Sequence, residues 1–183
     1  PREMLFDLVM PGDVLGYVTE EAAKATGFPQ GLPVVATSND KAVEGLGTGC
    51  MGDKTACVSL GTYTAAMMEG REYLRDTKAV WPKFSCMPNK YLYDSNGIRR
   101  GMWTVSWFRD VLGDGFAKEA KAQGMSPEEL LSKEAENVPV GSDGLMTVLD
   151  WLAPVDARYK KGMMIGFDGR SDRAHIYRSI LEA

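Results

Sequence analysis

The sequence has 183 residues, 44% of them apolar and 25% charged, enough for one sizeable domain with a real core and too few for two comfortable ones. The net charge of −4, with no long basic run, argues against a nucleic-acid-binding face. No apolar stretch approaches the ~18 residues needed to cross a bilayer, and the start does not read as a signal peptide.

Asp13 to Val18 is predicted as a short strand after the Pro11-Gly12 turn. Thr19 caps a helix that runs to Thr26 and stops at Gly27, where a left-handed C-terminal position prefers glycine. Leu32 to Ala36 is a short apolar run that predicts a buried strand, and the polar loop Thr37-Ser38-Asn39 delivers Asp40 to a helix ending near Leu46. Lys54 to Leu60 and Thr64 to Glu69 are β-rich runs joined by Gly61-Thr62-Tyr63, a hairpin signal. Tyr91 to Tyr93 predicts another strand. Trp103, Val105, Trp107, Val111 and Leu112 recur at helical spacing, with Gly113 as the stop. Ser126-Pro127-Glu128-Glu129 is a capping box with proline at the first helical position, opening a helix to about Asn137. Leu145 to Leu149 is strand-like, and Asp172 to Leu181 is amphipathic and helical. These units mix hairpins with strand–helix pairs, which indicates an α/β fold with a mixed sheet and flanking helices.

The residues available for chemistry are few. Cys50, Cys57 and Cys86 are odd in number and lack a CxxC spacing, which fits a reducing cytoplasm. His175 is the sole histidine, so a His-based metal site or a Ser-His-Asp triad has no material. Carboxylates and bound phosphate remain. Asp40 follows a strand and enters a helix whose dipole favours the ionised form; by itself the pattern also fits a plain helix cap. The Gly61-Thr62 turn exposes backbone amides beside a hydroxyl, a nest suited to phosphate, although many such hairpins bind nothing. Trp103 and Trp107 share one helical face and read as core rather than as a sugar-stacking platform. Trp151, beside Asp150, reads as a buried aromatic. Asp143 reads as a turn residue, His175 as surface or packing, and Arg99-Arg100 as a solvated pair unless nucleotide phosphates lie against it. The methionine pairs Met67-Met68 and Met163-Met164 read as strand filling.

Taken in order, these segments resemble the carboxyl-terminal domain of the FGGY carbohydrate kinases, which include xylulose and glycerol kinases. The matching text is Leu15-Gly16, Val18-Thr19, Ala22-Ala23 and Thr26-Gly27-Phe28, then Gly31 to Ala36 and Asn39-Asp40. It continues through Ser59-Leu60-Gly61-Thr62, Ser106 to Asp110, Pro139, Gly141 to Leu145, and Arg173 to His175 with Tyr177-Arg178 and Leu181-Glu182. The resemblance implies an incomplete actin-like ATPase (ribonuclease H-like) α/β domain, residues 1–183, truncated at its C-terminal end and without an N-terminal domain. It implies a cytoplasmic enzyme that uses ATP and Mg2+ to phosphorylate a sugar or polyol. Asp40 would be the catalytic base, with Asn39 and Asp40 at the substrate. Gly61 and Thr62 would hold the ATP phosphates, and Gly101 and Ser106 would lie along the nucleotide. Partners would be the sugar or polyol and ATP, with a homodimer as an option and neither nucleic acid nor membrane.

Some residues depart from that pattern. Thr37-Ser38-Asn39 replaces a run of glycines, Tyr63 is bulky for a phosphate turn, and Asp150 to Asp156 replaces a Gly-Glu-Arg-x-Pro stretch. The abrupt ends, Pro1-Arg2-Glu3-Met4 and Ile180-Leu181-Glu182-Ala183, suggest a piece of a longer polypeptide with no useful activity alone. Two alternatives stay open: an actin-like module that has lost catalysis, and an ATPase-fold enzyme with a non-sugar acceptor.

Overall fold

The computed structural model describes residues 2–50, 52, 54–75, 78–155 and 157–183; Pro1 and Asp156 of the segments above lie outside them. The chain divides into two compact units, residues 1–58 with 66–96, and residues 59–65 with 97–183.

The first unit opens on β1 (Val14–Tyr17), α1 (Glu20–Thr26) and β2 (Pro33–Val35), with β1 and β2 paired antiparallel. Thr19 caps α1 through its side chain, and Gly27 closes it at φ 79°, as the sequence predicts. The buried character expected of β2 is not found: Val34 and Val35 are 46% and 45% exposed. A two-stranded ribbon has only one partner strand, and an apolar run stays on the surface where nothing covers it.

α2 (Asp40–Gly47) follows, then β3 (Ala56–Leu60), β4 (Thr64–Gly70), β5 (Val80–Phe84) and β6 (Tyr91–Ser95), in the sheet order β3-β4-β6-β5. Met67 lies opposite Asp94 and Glu69 opposite Leu92, so these four share one face. Ala42 of α2 packs there against Met67 and Leu92. Burying Ala42 under an eight-residue helix pins the short segment that carries Asp40. The same face buries two carboxylates, each with a lysine: Asp94 with Lys83 at 2.6 Å and Glu69 with Lys90 at 2.9 Å. β5 is absent from the sequence reading because Pro82 interrupts it; proline is tolerated since β5 is an edge strand. Every strand pair whose register is defined among the described residues is antiparallel, so the parallel part of the expected mixed sheet is not among them.

In the second unit α3 (Gly101–Ala122), α4 (Pro127–Ala135) and α5 (Arg173–Glu182) enclose Val105, Phe108, Phe116, Ala120, Leu130, Leu131, Tyr177 and Ile180. The stop expected at Gly113 is real but local. That residue leaves the helix at φ 71°, and the helix resumes to Ala122. Both halves of the capping box at Ser126 and Glu129 are formed. β7 (Met146–Val148) and β8 (Met163–Ile165) form an antiparallel pair. No helix among the described residues is long and apolar enough to cross a membrane.

His175 proves to be more than packing. Its Nδ1 lies 2.7 Å from Oδ1 of Asp172, the α5 cap, and its Nε2 lies 3.5 Å from Asp143 in the 142–144 turn. Asp172, ahead of the smaller contribution from Asp143, raises the His175 pKa above its ordinary value. Arg170, which faces Asp143 and Asp168, is the cation on the neighbouring loop. A raised folded-state pKa means that the protonated imidazole stabilises fully below about pH 6.5 and that this support is lost as pH rises through the higher folded value. Thermal unfolding of wild type should therefore weaken more steeply between about pH 6 and pH 8 than that of His175→Gln. Parallel curves for the two proteins would remove this role.

Candidate functional site

Asp40 does not cap its own helix. Asn39 does, its Oδ1 accepting from the Ala42 amide at 3.2 Å. The loop is held from the other side by Phe84, whose carbonyl accepts from Ser38 Oγ at 2.9 Å and Asn39 Nδ2 at 3.4 Å. Ser38 and Asn39 are thus the fasteners of the loop. Asp40 is left exposed as the first helical residue, and its carboxylate accepts from the Lys41 amide at 2.9 Å. Two positive influences act on it: the amino-terminal end of α2 and Lys41, whose ammonium pairs with Glu44 at 2.9 Å.

The Gly61-Thr62 bend belongs to the second unit, where it is built against the start of α3. The Met102 amide donates to the Gly61 carbonyl at 3.1 Å, and Thr64 and Ile98 exchange backbone hydrogen bonds at 2.9 and 2.8 Å. Tyr63 turns back into this framework. Its hydroxyl accepts from the Gly97 amide at 2.9 Å, so its bulk braces the bend. Close approach explains two glycines: a Cβ on Gly101 would lie 2.1 Å from Thr64 Oγ1, and one on Gly97 would lie 2.2 Å from the Thr64 carbonyl oxygen. Thr62 is exposed at the turn.

The structure therefore gathers the expected site residues into two sets. Asn39 and Asp40 are adjacent in the first unit; Gly61, Thr62 and Gly101 lie in the second, where the Gly61 carbonyl meets the Met102 amide and Gly101 packs on Thr64. Ser106 lies half-buried on α3, beyond Gly101 by more than one turn. Among the described residues no group of three or more His, Cys, Asp or Glu could hold a metal ion.

Two features escaped the sequence reading. Asp94 is 2% exposed, and its Oδ1 has no hydrogen-bond partner. Alternation within β6 could have placed it inward. Arg99 is exposed and Arg100 half-buried, and each has a partner within the fold: Arg99 Nη1 donates to the Ala153 carbonyl at 2.8 Å, and the Arg100 guanidinium lies 4.7 Å from the centre of the Trp103 ring. Trp107 packs against the helical core and meets Trp151 at 4.9 Å, in line with a packing role.

Fold and neighbours together define the class: the chain carries part of an actin-like ATPase domain. The xylulose kinase of Rhodospirillum rubrum superposes with a TM-score of 0.74 at 25% identity, over 94% of this chain and 33% of that one. A ligand-bound xylulose kinase from Lactobacillus acidophilus superposes with a TM-score of 0.79 over the whole chain, which at 17% identity speaks to the fold alone. No protein-family model matches the chain. The chain is a homologue of sugar kinases, as the resemblance above implies. An Escherichia coli K12 protein described as the uncharacterized sugar kinase YgcE is 57% identical over all 183 residues, and a ribulokinase of Bacillus licheniformis is 28% identical over 97% of the chain. The chain spans about a third of the length of those relatives, 37% and 33% respectively.

Proposed function

We propose that the intact protein phosphorylates a hydroxyl group of a sugar or polyol with ATP, and that residues 1–183 are a carboxyl-terminal-type kinase domain, truncated at its C-terminal end. The observation that carries this is the division of labour between Asn39 and Asp40: the asparagine takes the cap, which leaves an exposed carboxylate at the positive end of α2. The likeness to sugar kinases along the whole chain supports the substrate class.

In this reading Asp40 accepts the proton of the acceptor hydroxyl as its oxygen bonds the γ-phosphorus and the bond to ADP breaks. Such a transition state is loose, so catalysis consists of positioning and charge stabilisation. Asn39 holds the acceptor beside Asp40. The Gly61-Thr62 bend supplies backbone amides and a hydroxyl to the phosphates, with Gly101 and Ser106 along the nucleotide. Magnesium accompanying ATP supplies charge neutralisation when bound. The described residues build no carboxylate cage for it, and phosphate oxygens and water are its ordinary ligands. A reducing, cytoplasmic setting suits the three free cysteines.

The test is a panel of sugars, sugar acids and polyols offered to the intact protein with ATP, read by mass spectrometry of phosphorylated product. At least one should be turned over. A chain that binds ATP but phosphorylates none would favour the regulatory actin-like module.

A further inference from the structure

We infer that Arg100 is a phosphate-binding cation of the nucleotide site, preset by Trp103, and this rests on the kinase reading above. The starting observation is a guanidinium that the fold positions without neutralising. Its centre sits 4.7 Å from the centre of the Trp103 ring. The arginines with carboxylate partners, Arg109, Arg170, Arg173 and Arg178, are each paired with Asp or Glu. The Arg100 guanidinium has no hydrogen bond or ion pair among the described residues.

The contact matters for what remains available. Cation–π attraction to a ring holds a guanidinium without a carboxylate partner, so its N–H donors can still meet a carboxylate or phosphate in bidentate fashion. The contact also removes rotamer freedom before any ligand arrives, which lowers the entropy cost of binding. The backbone is fixed as well. Thr104, fully buried, donates its hydroxyl to the Arg100 carbonyl at 2.5 Å.

Position selects the ligand. Arg100 precedes Gly101, which packs against Thr64, and Met102, whose amide bonds the Gly61 carbonyl. The cation is thus two residues from the anchor of the proposed phosphate bend, in the same unit. An oxyanion of a nucleoside triphosphate is the chemistry it suits.

The experiment titrates the intact protein with ATP by calorimetry, for wild type, Arg100→Ala, Arg100→Lys and Trp103→Leu, with KM values for ATP and for the accepted sugar measured alongside. Arg100→Ala should weaken ATP binding about tenfold to a hundredfold, the range of a lost charge-assisted contact, while the sugar KM stays unchanged. Arg100→Lys should recover only part, and Trp103→Leu should fall between, since it frees the cation without removing it. Unaltered ATP affinity in Arg100→Ala, with thermal unfolding like wild type, would overturn the assignment. The direct titration needs no sugar turnover, so a wild type that binds ATP but phosphorylates nothing sinks the kinase reading and still decides the role of Arg100.

Discussion

Replacing Asp40 by Asn should lower kcat of the intact protein by about 10²- to 10⁴-fold, the range that a positioned general base contributes. The amide keeps the size of the side chain and loses only its capacity to take a proton. Folding should hardly notice. Asn39 supplies the cap, Ala42 supplies the buried contact of α2, and Asp40 is exposed, so the cost is limited to its interaction with the helix end, about 0.3–1 kcal/mol. ATP affinity should survive, because the phosphates are assigned to other residues. The informative comparison is with Asn39→Ala, which removes the cap and the proposed acceptor contact: it should cost about 1 kcal/mol of stability and raise the KM for the acceptor while leaving the base in place. Full activity in Asp40→Asn would remove the carboxylate from the mechanism.

Gly101→Ala should disrupt the phosphate bend by crowding. The new methyl would lie 2.1 Å from Thr64 Oγ1 and 2.7 Å from Thr64 Cβ, on a side chain rooted in the hairpin itself. Relief requires the hairpin and the start of α3 to move apart, and forced repacking of this kind costs about 1–3 kcal/mol. The Met102–Gly61 hydrogen bond should loosen with it, and ATP binding should fall more than sugar binding. Gly115→Ala in the same helix is the control. A methyl there meets nothing within 4 Å, and alanine favours a helix, so stability should hold or rise. Urea unfolding and ATP titration of the two variants separate crowding at the bend from a general effect of alanine in α3.

The parts of the fold written in local chemistry were legible. Thr19 and Gly27 bound one helix, Ser126 with Glu129 opens another, and the Gly61-Thr62-Tyr63 turn joins two strands, since a cap or a turn is decided by a few neighbouring residues. What failed depends on partners distant in sequence. Pro82 concealed β5 because its tolerance comes from an edge position that only the sheet order defines. Val34 and Val35 look like core in composition, yet burial depends on what lies over a strand. At the candidate site the sequence offered Asp40 as either a cap or a base. Only the Asn39–Ala42 hydrogen bond shows that the capping position is already filled. Tyr63 looked obstructive until its hydroxyl was found on the Gly97 amide, and the hold of Trp103 on Arg100 is a side-chain contact invisible in composition.

The most direct measurement is a structure of the intact protein with magnesium, a non-hydrolysable ATP analogue and an accepted sugar. An Asp40 oxygen should stand about 2.6–3.2 Å from the hydroxyl that receives phosphate, with the terminal phosphate of the analogue cradled by the Gly61-Thr62 amides. A nucleotide seated elsewhere, or a sugar whose reactive hydroxyl never comes near that carboxylate, would contradict it.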